Sequence, residues 1–118
     1  MPKKYRAEDL TRFAREALVK AGMCQDRAAV ISEILVEGDL LGHYTHGTKL
    51  LPNYVKEIQA GRMPVDGDPD IVSDKGSAVL IDGRYLPGPW LVNYALEICF
   101  SRMAEQATVT VVIRKSHH

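Results

Sequence analysis

Apolar residues recur along the first half of the chain at helical spacing. In residues 8–21, Leu10, Phe13, Ala14, Ala17 and Leu18 fall at offsets 0, 3, 4, 7 and 8, the stripe of an amphipathic helix facing a core. Gly22 follows where a left-handed C-cap belongs. The pattern predicts a second helix over 26–40 with Val30, Ile31, Ile34 and Leu35 inward, Leu41 near its end and Gly42 stopping it. A third helix reaches about Ala60 before Gly61 and carries Leu51, Tyr54, Val55 and Ile58 on one face. Pro52 marks its first turn, where a missing N–H is harmless, or kinks it if the helix begins sooner.

The period then changes. "GRMPVDGDPD", residues 61–70, is a Gly-, Pro- and Asp-rich loop, and "DIVS" and "SAVLID" after it read as short strands joined by a turn at Asp74–Gly76. "GRYLPGPW", residues 83–90, is another loop, followed by a helix from near Trp90 to Ala104. "ATVTVVIRK", residues 107–115, is rich in β-branched residues, as in a strand buried on both faces. The order is therefore three helices, two strands, a helix and a strand. This is an α+β arrangement: an N-terminal helical region over 1–61, then the start of a mixed-sheet domain over 62–118. A buried strand needs neighbours on both edges, and two short strands do not supply them, so further chain is expected beside this one.

Charge narrows the choice of partner. Fifteen Lys and Arg balance fifteen Asp and Glu, so no electrostatic pull toward nucleic acid or an anionic membrane is expected. No apolar run approaches a membrane span, and no secretory signal opens the sequence. Cys24 and Cys99 show no CxxC spacing, and both are read as buried packing residues of a cytoplasmic protein.

The candidate chemistry lies in "GHYTHGTKLLPNY", residues 42–54. Histidine does nothing to relieve a turn, but it takes and gives protons near neutral pH. His43 and His46 are either ordinary solvated turn residues or part of a site. A zinc site would need a further ligand, and only His117 and His118 are available, so no metal is expected. Those two histidines follow Ser116 at the C-terminal edge of a strand, where sheets often place functional groups. Trp90 and Tyr54 read first as packing residues. "DGRYLPGPW" does not make a G-x-G-x-x-G, so a Rossmann phosphate loop is not supported.

From Asp39-Leu40-Leu41-Gly42 through Thr45-His46-Gly47, Pro52, Tyr54-Val55 and Ala60-Gly61, the sequence resembles the malate/L-lactate dehydrogenase-like oxidoreductases. This is the non-Rossmann group that includes ureidoglycolate and diketogulonate-type reductases. The resemblance continues through "DGRYLPGPW" and ends in "VVIRKSHH", covering what would be the N-terminal third of such an enzyme. It implies hydride transfer between NAD or NADP and a small 2-hydroxy or 2-keto acid, with most of the cofactor site in later segments, and a homodimer as the assembly. It also implies that His46 moves a proton at the substrate carbonyl or hydroxyl, that His118 is a second active-site acid/base, and that Thr45 and Tyr54 lie on the substrate side. Thr45 stands for the family's Ser and keeps the hydroxyl. Leu50 stands for the family's Arg and cannot grip a carboxylate. If the third helix starts near Thr45, the i, i+4, i+8 spacing of His46, Leu50 and Tyr54 presents them on one face. The competing expectation is a non-catalytic helical dimerisation or regulatory module derived from the same family.

Overall fold

The first helix forms where its stripe predicts it. In a computed structural model, which describes residues 3–117, α1 spans Ala7–Lys20, with Glu8 and Asp9 at its electropositive start and Lys20 at its end. Its end is a Schellman turn: Gly22, at φ 117°, donates its N–H to Val19 O and Met23 donates to Leu18 O. Helix α2 (Gln25–Leu40) stops the same way, with Gly42 at φ 81°, Gly42 N–H on Asp39 O and His43 N–H on Gly38 O. Two single 3-10 turns follow, Tyr44–His46 and Thr48–Leu50, and lead into α3 (Leu51–Gln59) with Pro52 in its first turn.

Helices α1 and α2 pack together, and α3 touches α1. The buried line is Ala14 and Leu18 on α1, Ala28, Ile31, Ser32, Leu35 and Val36 on α2, and Leu51 and Tyr54 on α3. On α2 these residues sit at i, i+3, i+4, i+7 and i+8, so the contact strip is narrower than the full set of apolar positions. Phe13 and Ile34, each one residue (about 100°) from the strip, fall outside it; Phe13 is 64% exposed. The expectation that they face inward is corrected accordingly. Cys24 is also exposed rather than packed, because it is the N-cap of α2.

These helices belong to one unit, residues 1–65, and the remainder of the chain, residues 66–118, forms a second. In the second unit β1 (Asp70–Asp74) and β2 (Ala78–Asp82) form an antiparallel hairpin, with the register slipping between Ile71 and Ser73. The chain then runs through α4 (Gly88–Arg102) and returns as β3 (Thr110–Arg114), which pairs parallel with β2. The result is a three-stranded mixed sheet in the order β1-β2-β3, and the fold class is α+β. Val79, Ile81, Leu86, Leu91 and Ala95 form the core of this unit.

Strand β3 departs from expectation. It lies at the edge of the sheet among the described residues, its half-buried Val111 and Ile113 alternating with exposed Thr110, Val112 and Arg114. β-branching reports a preference for extended backbone and says nothing of how many faces are covered. Helix α4 packs against β3. Val92, Leu96 and Phe100 on α4, with Met103 at its C-cap, are exposed apolar residues.

The junction after β2 and β3 is tightly built. Arg84, Tyr85 and Lys115 all hold left-handed backbone, at φ 53°, 61° and 54°, a conformation costing about 1–3 kcal/mol for each non-glycine residue. The buried Asp82 carboxylate ties the two segments: it accepts the Arg84 N–H at 3.0 Å and Arg114 Nε–H at 3.1 Å, with Lys115 Nζ at 3.8 Å. Those hydrogen bonds and neighbouring cations hold the Asp82 carboxyl below the usual carboxylate range against the opposing effect of burial. Gly83 and Tyr85 then donate to Arg114 O and Lys115 O, both at 2.7 Å.

At the far end of the hairpin, Asp74 accepts two hydrogen bonds from the Arg102 guanidinium, at 2.6 and 2.7 Å, and one from the Gly76 N–H. These bonds hold the Asp74 carboxyl at about 2, below the ordinary 3.8. A depressed carboxyl stabilises the fold fully above its unfolded value and loses that contribution as pH falls through the folded one. Asp74→Asn is therefore expected to unfold a few degrees below the parent at pH 6. The gap should close between pH 3.8 and about 2, as measured by thermal unfolding at pH 6, 4 and 2.

Candidate functional site

The quoted turn is held against α2 by two glycines. A Cβ on Gly38 would come within 2.7 Å of the His46 carbonyl oxygen, and one on Gly47 within 1.8 Å of Asp39 Oδ1. Backbone thus lies on backbone at the last turn of α2, a contact that larger residues forbid. The Asp39 carboxylate completes the contact. Its Oδ2 accepts the Thr48 hydroxyl at 2.5 Å and the Thr48 N–H at 3.2 Å, placing a negative group at the start of the second 3-10 turn.

This turn presents His46. Its N–H donates to His43 O at 2.9 Å, while its ring is exposed to solvent. Thr45 Oγ1 and His46 Nδ1 share a hydrogen bond of 3.0 Å. The hydroxyl donates to a bare Nδ1 or accepts from a protonated one, two bonds of unequal strength, and leaves Nε2 open to solvent. An imidazole held at one nitrogen and open at the other can exchange a proton with a group that approaches from outside.

Of the residues singled out from sequence, Thr45 and His46 are in contact. Tyr54 is only 2% exposed, and burial pushes its phenol pKa up. Helix α3 begins at Leu51, and Gly47, at φ −103° and ψ −153°, interrupts the helical path from His46. The single helical face that would have aligned His46, Leu50 and Tyr54 does not form. Leu50 is half-buried and Lys49 exposed, so the lysine does not take the leucine's place. His117 belongs to the second unit, where its N–H donates to Leu86 O and its carbonyl accepts from Gly88 N–H. His118 lies outside the described residues.

The glycines after β2 do not form a phosphate cradle. A Cβ on Gly83 would meet Leu91 Cδ1 at 2.6 Å and Lys115 O at 2.9 Å, and one on Gly88 would meet His117 O at 2.9 Å. The chain's own backbone and side chains fill the space a pyrophosphate would need. These two glycines therefore do not cradle a phosphate. Among the described residues, no group of three or more His, Cys, Asp or Glu side chains is placed to hold a metal ion.

A family model for malate/L-lactate dehydrogenase matches residues 5–118. The chain belongs to the malate/L-lactate dehydrogenase family. It is 28% identical over 106 residues to L-lactate dehydrogenase of Cupriavidus necator, covering 90% of this chain and 30% of that protein. It is 24% identical over 115 residues to hydroxycarboxylate dehydrogenase B of Escherichia coli O157:H7, covering 98% and 32%. In fold it is similar to malate dehydrogenase from Pyrococcus horikoshii OT3, with a TM-score of 0.94 at 24% identity over 98% of this chain and 33% of the other. The chain spans about a third of the length of the relatives it matches.

Sequence reasoning named His46 but gave Asp39 no role, although Asp39 makes the decisive bond. Two signals were available. Gly38 sits inside a helix, where it costs about 1 kcal/mol relative to alanine. Asp39, with Glu37, puts negative charge in a last turn that has no basic residue, against the helix dipole. Both are local penalties that a tertiary contact repays. By propensity alone Gly38→Ala stabilises α2, but the close approach predicts the opposite. The variant should be less stable by about 1–3 kcal/mol in urea unfolding, because backbone rather than a flexible side chain occupies the space.

Proposed function

We propose that this chain supplies the N-terminal third of an NAD(P)-dependent oxidoreductase acting on small 2-hydroxy or 2-keto acids, in which His46 is the proton carrier. The observation that carries this reading is the family match over residues 5–118, within which an exposed histidine stands on a tightly held turn. A bound nicotinamide would supply or accept the hydride, with most of the residues that hold it in later segments of the enzyme. His46 gives its proton to the carbonyl oxygen in reduction and takes it from the hydroxyl in oxidation, using Nε2 while Nδ1 bonds to Thr45. Thr45 keeps the imidazole oriented through either step. Tyr54 contributes from the buried side of α3, and His118, next to the paired backbone of His117, is the second acid/base in this proposal. Leu50 offers no cation for the substrate's carboxylate, so that group is recognised elsewhere. The assembly is a homodimer in the cytoplasm, a setting in keeping with two unpaired cysteines.

The test is oxidation of NADH and NADPH with a panel of 2-keto acids, run on this chain and on a form extended by the coding sequence after His118. The extended form should turn over and the short chain should not. His46→Ala should lower kcat by about 10²–10⁴-fold in the extended form. Robust turnover by the short chain overturns the division of the site. An inactive extended form overturns the enzyme.

A further inference from the structure

Resting on the reading of His46 as proton carrier, we infer that Asp39 is the positioning residue of this site. It sets the imidazole through Thr48 and Gly47 without needing to touch it. The side chain of His46 is exposed, which ordinarily means many rotamers and little precision. Its backbone is nevertheless fixed from both sides. The N–H bonds to His43 O, and His43 in turn donates its own N–H to Gly38 O at 2.8 Å. The His46 carbonyl rests where a Gly38 side chain would be, and the next residue, Gly47, is buried against the Asp39 carboxylate. Thr48 is bonded twice to that carboxylate. One acidic group on a rigid helix therefore determines where the peptide after His46 lies. That peptide sets the direction of the Cα–Cβ bond and hence the reach of the ring to Thr45 Oγ1.

A simpler role for Asp39 is to cap the start of the path into α3, which would affect stability alone. The two roles separate in the state of the imidazole. A cap does not influence which ring nitrogen carries the proton, whereas a positioning residue does, because the Thr45–His46 bond depends on the backbone it fixes. Asparagine at position 39 keeps an oxygen acceptor for Thr48 and drops the charge, whereas alanine drops both.

The experiment is long-range ¹H–¹⁵N correlation spectroscopy of the histidine rings in the 118-residue chain, above the imidazole titration, with His117 of the second unit as internal reference. In the parent, His46 should depart from the tautomer ratio of free histidine. Asp39→Ala should move that ratio at least about threefold toward the free mixture, and Asp39→Asn should restore most of it. Thr48→Val, which keeps the N–H bond and loses the hydroxyl bond, should fall between them and guards against an alanine variant that does not fold. A parent ratio equal to that of free histidine overturns the assignment. So does a His46 signal unmoved in folded Asp39→Ala or Thr48→Val protein, since it leaves only the cap. In an extended form that turns over, Asp39→Ala should lower kcat about 10–100-fold with KM little changed, and Asp39→Asn should recover most of it. If the imidazole responds as expected and no form turns over, the positioning assignment stands and the proton-carrier reading fails.

Discussion

The carboxylate of Asp39, bonded to both the hydroxyl and the N–H of Thr48, is the contact on which the corner between α2 and α3 depends. Without it, Gly38 and Gly47 are only two places where the backbone is free to move. With it, their missing side chains become the space in which a turn lies flat on a helix. The end of α2 accepts two local penalties, a glycine and a poorly placed negative charge, and the tertiary contact offsets them. Local and global preference conflict here, as is common at functional positions, where a site constrains the backbone more tightly than folding requires.

The second unit uses a carboxylate in the same way. Asp82 links the turn after β2 to the residues leaving β3; of the three left-handed residues around it, Arg84 is held by Asp82 itself and Tyr85 and Lys115 are bonded to each other across the junction. Its glycines admit the chain's own backbone, which is why "DGRYLPGPW" is glycine-rich without being a nucleotide loop. In both units, a glycine motif near an aspartate marks one strand or turn passing close to another element.

The helices were legible because burial on one side imposes a period, and their ends because a left-handed C-cap favours glycine. The period overstated the core. It placed Phe13 and Ile34 in the same stripe as Leu18 and Leu35, whereas the actual buried strip is narrower and leaves both outside it. The start of α3 is open in the sequence, where Pro52 marks either the first turn or a kink in a helix begun near Thr45, since 3-10 and α turns share residue preferences; the extended conformation of Gly47 decides for the first. β3 was recognised as a strand from its β-branched run, but its exposure depends on what lies beside it. At the candidate site, His46 was visible through its residue type and the family motif. Asp39 was not, because its partner Thr48 lies beyond the end of its helix and no local pattern links the two.

The parallel pairing of β2 with β3 also governs how the sheet can be made. The β1–β2 hairpin can close from local chain, but its open side must wait until the whole of α4 has been synthesised and has folded back. During synthesis, then, the backbone of β2 offers unpaired donors and acceptors to any extended segment nearby. Until β3 emerges and pairs, this side of β2 is the part of the sheet most open to mispairing.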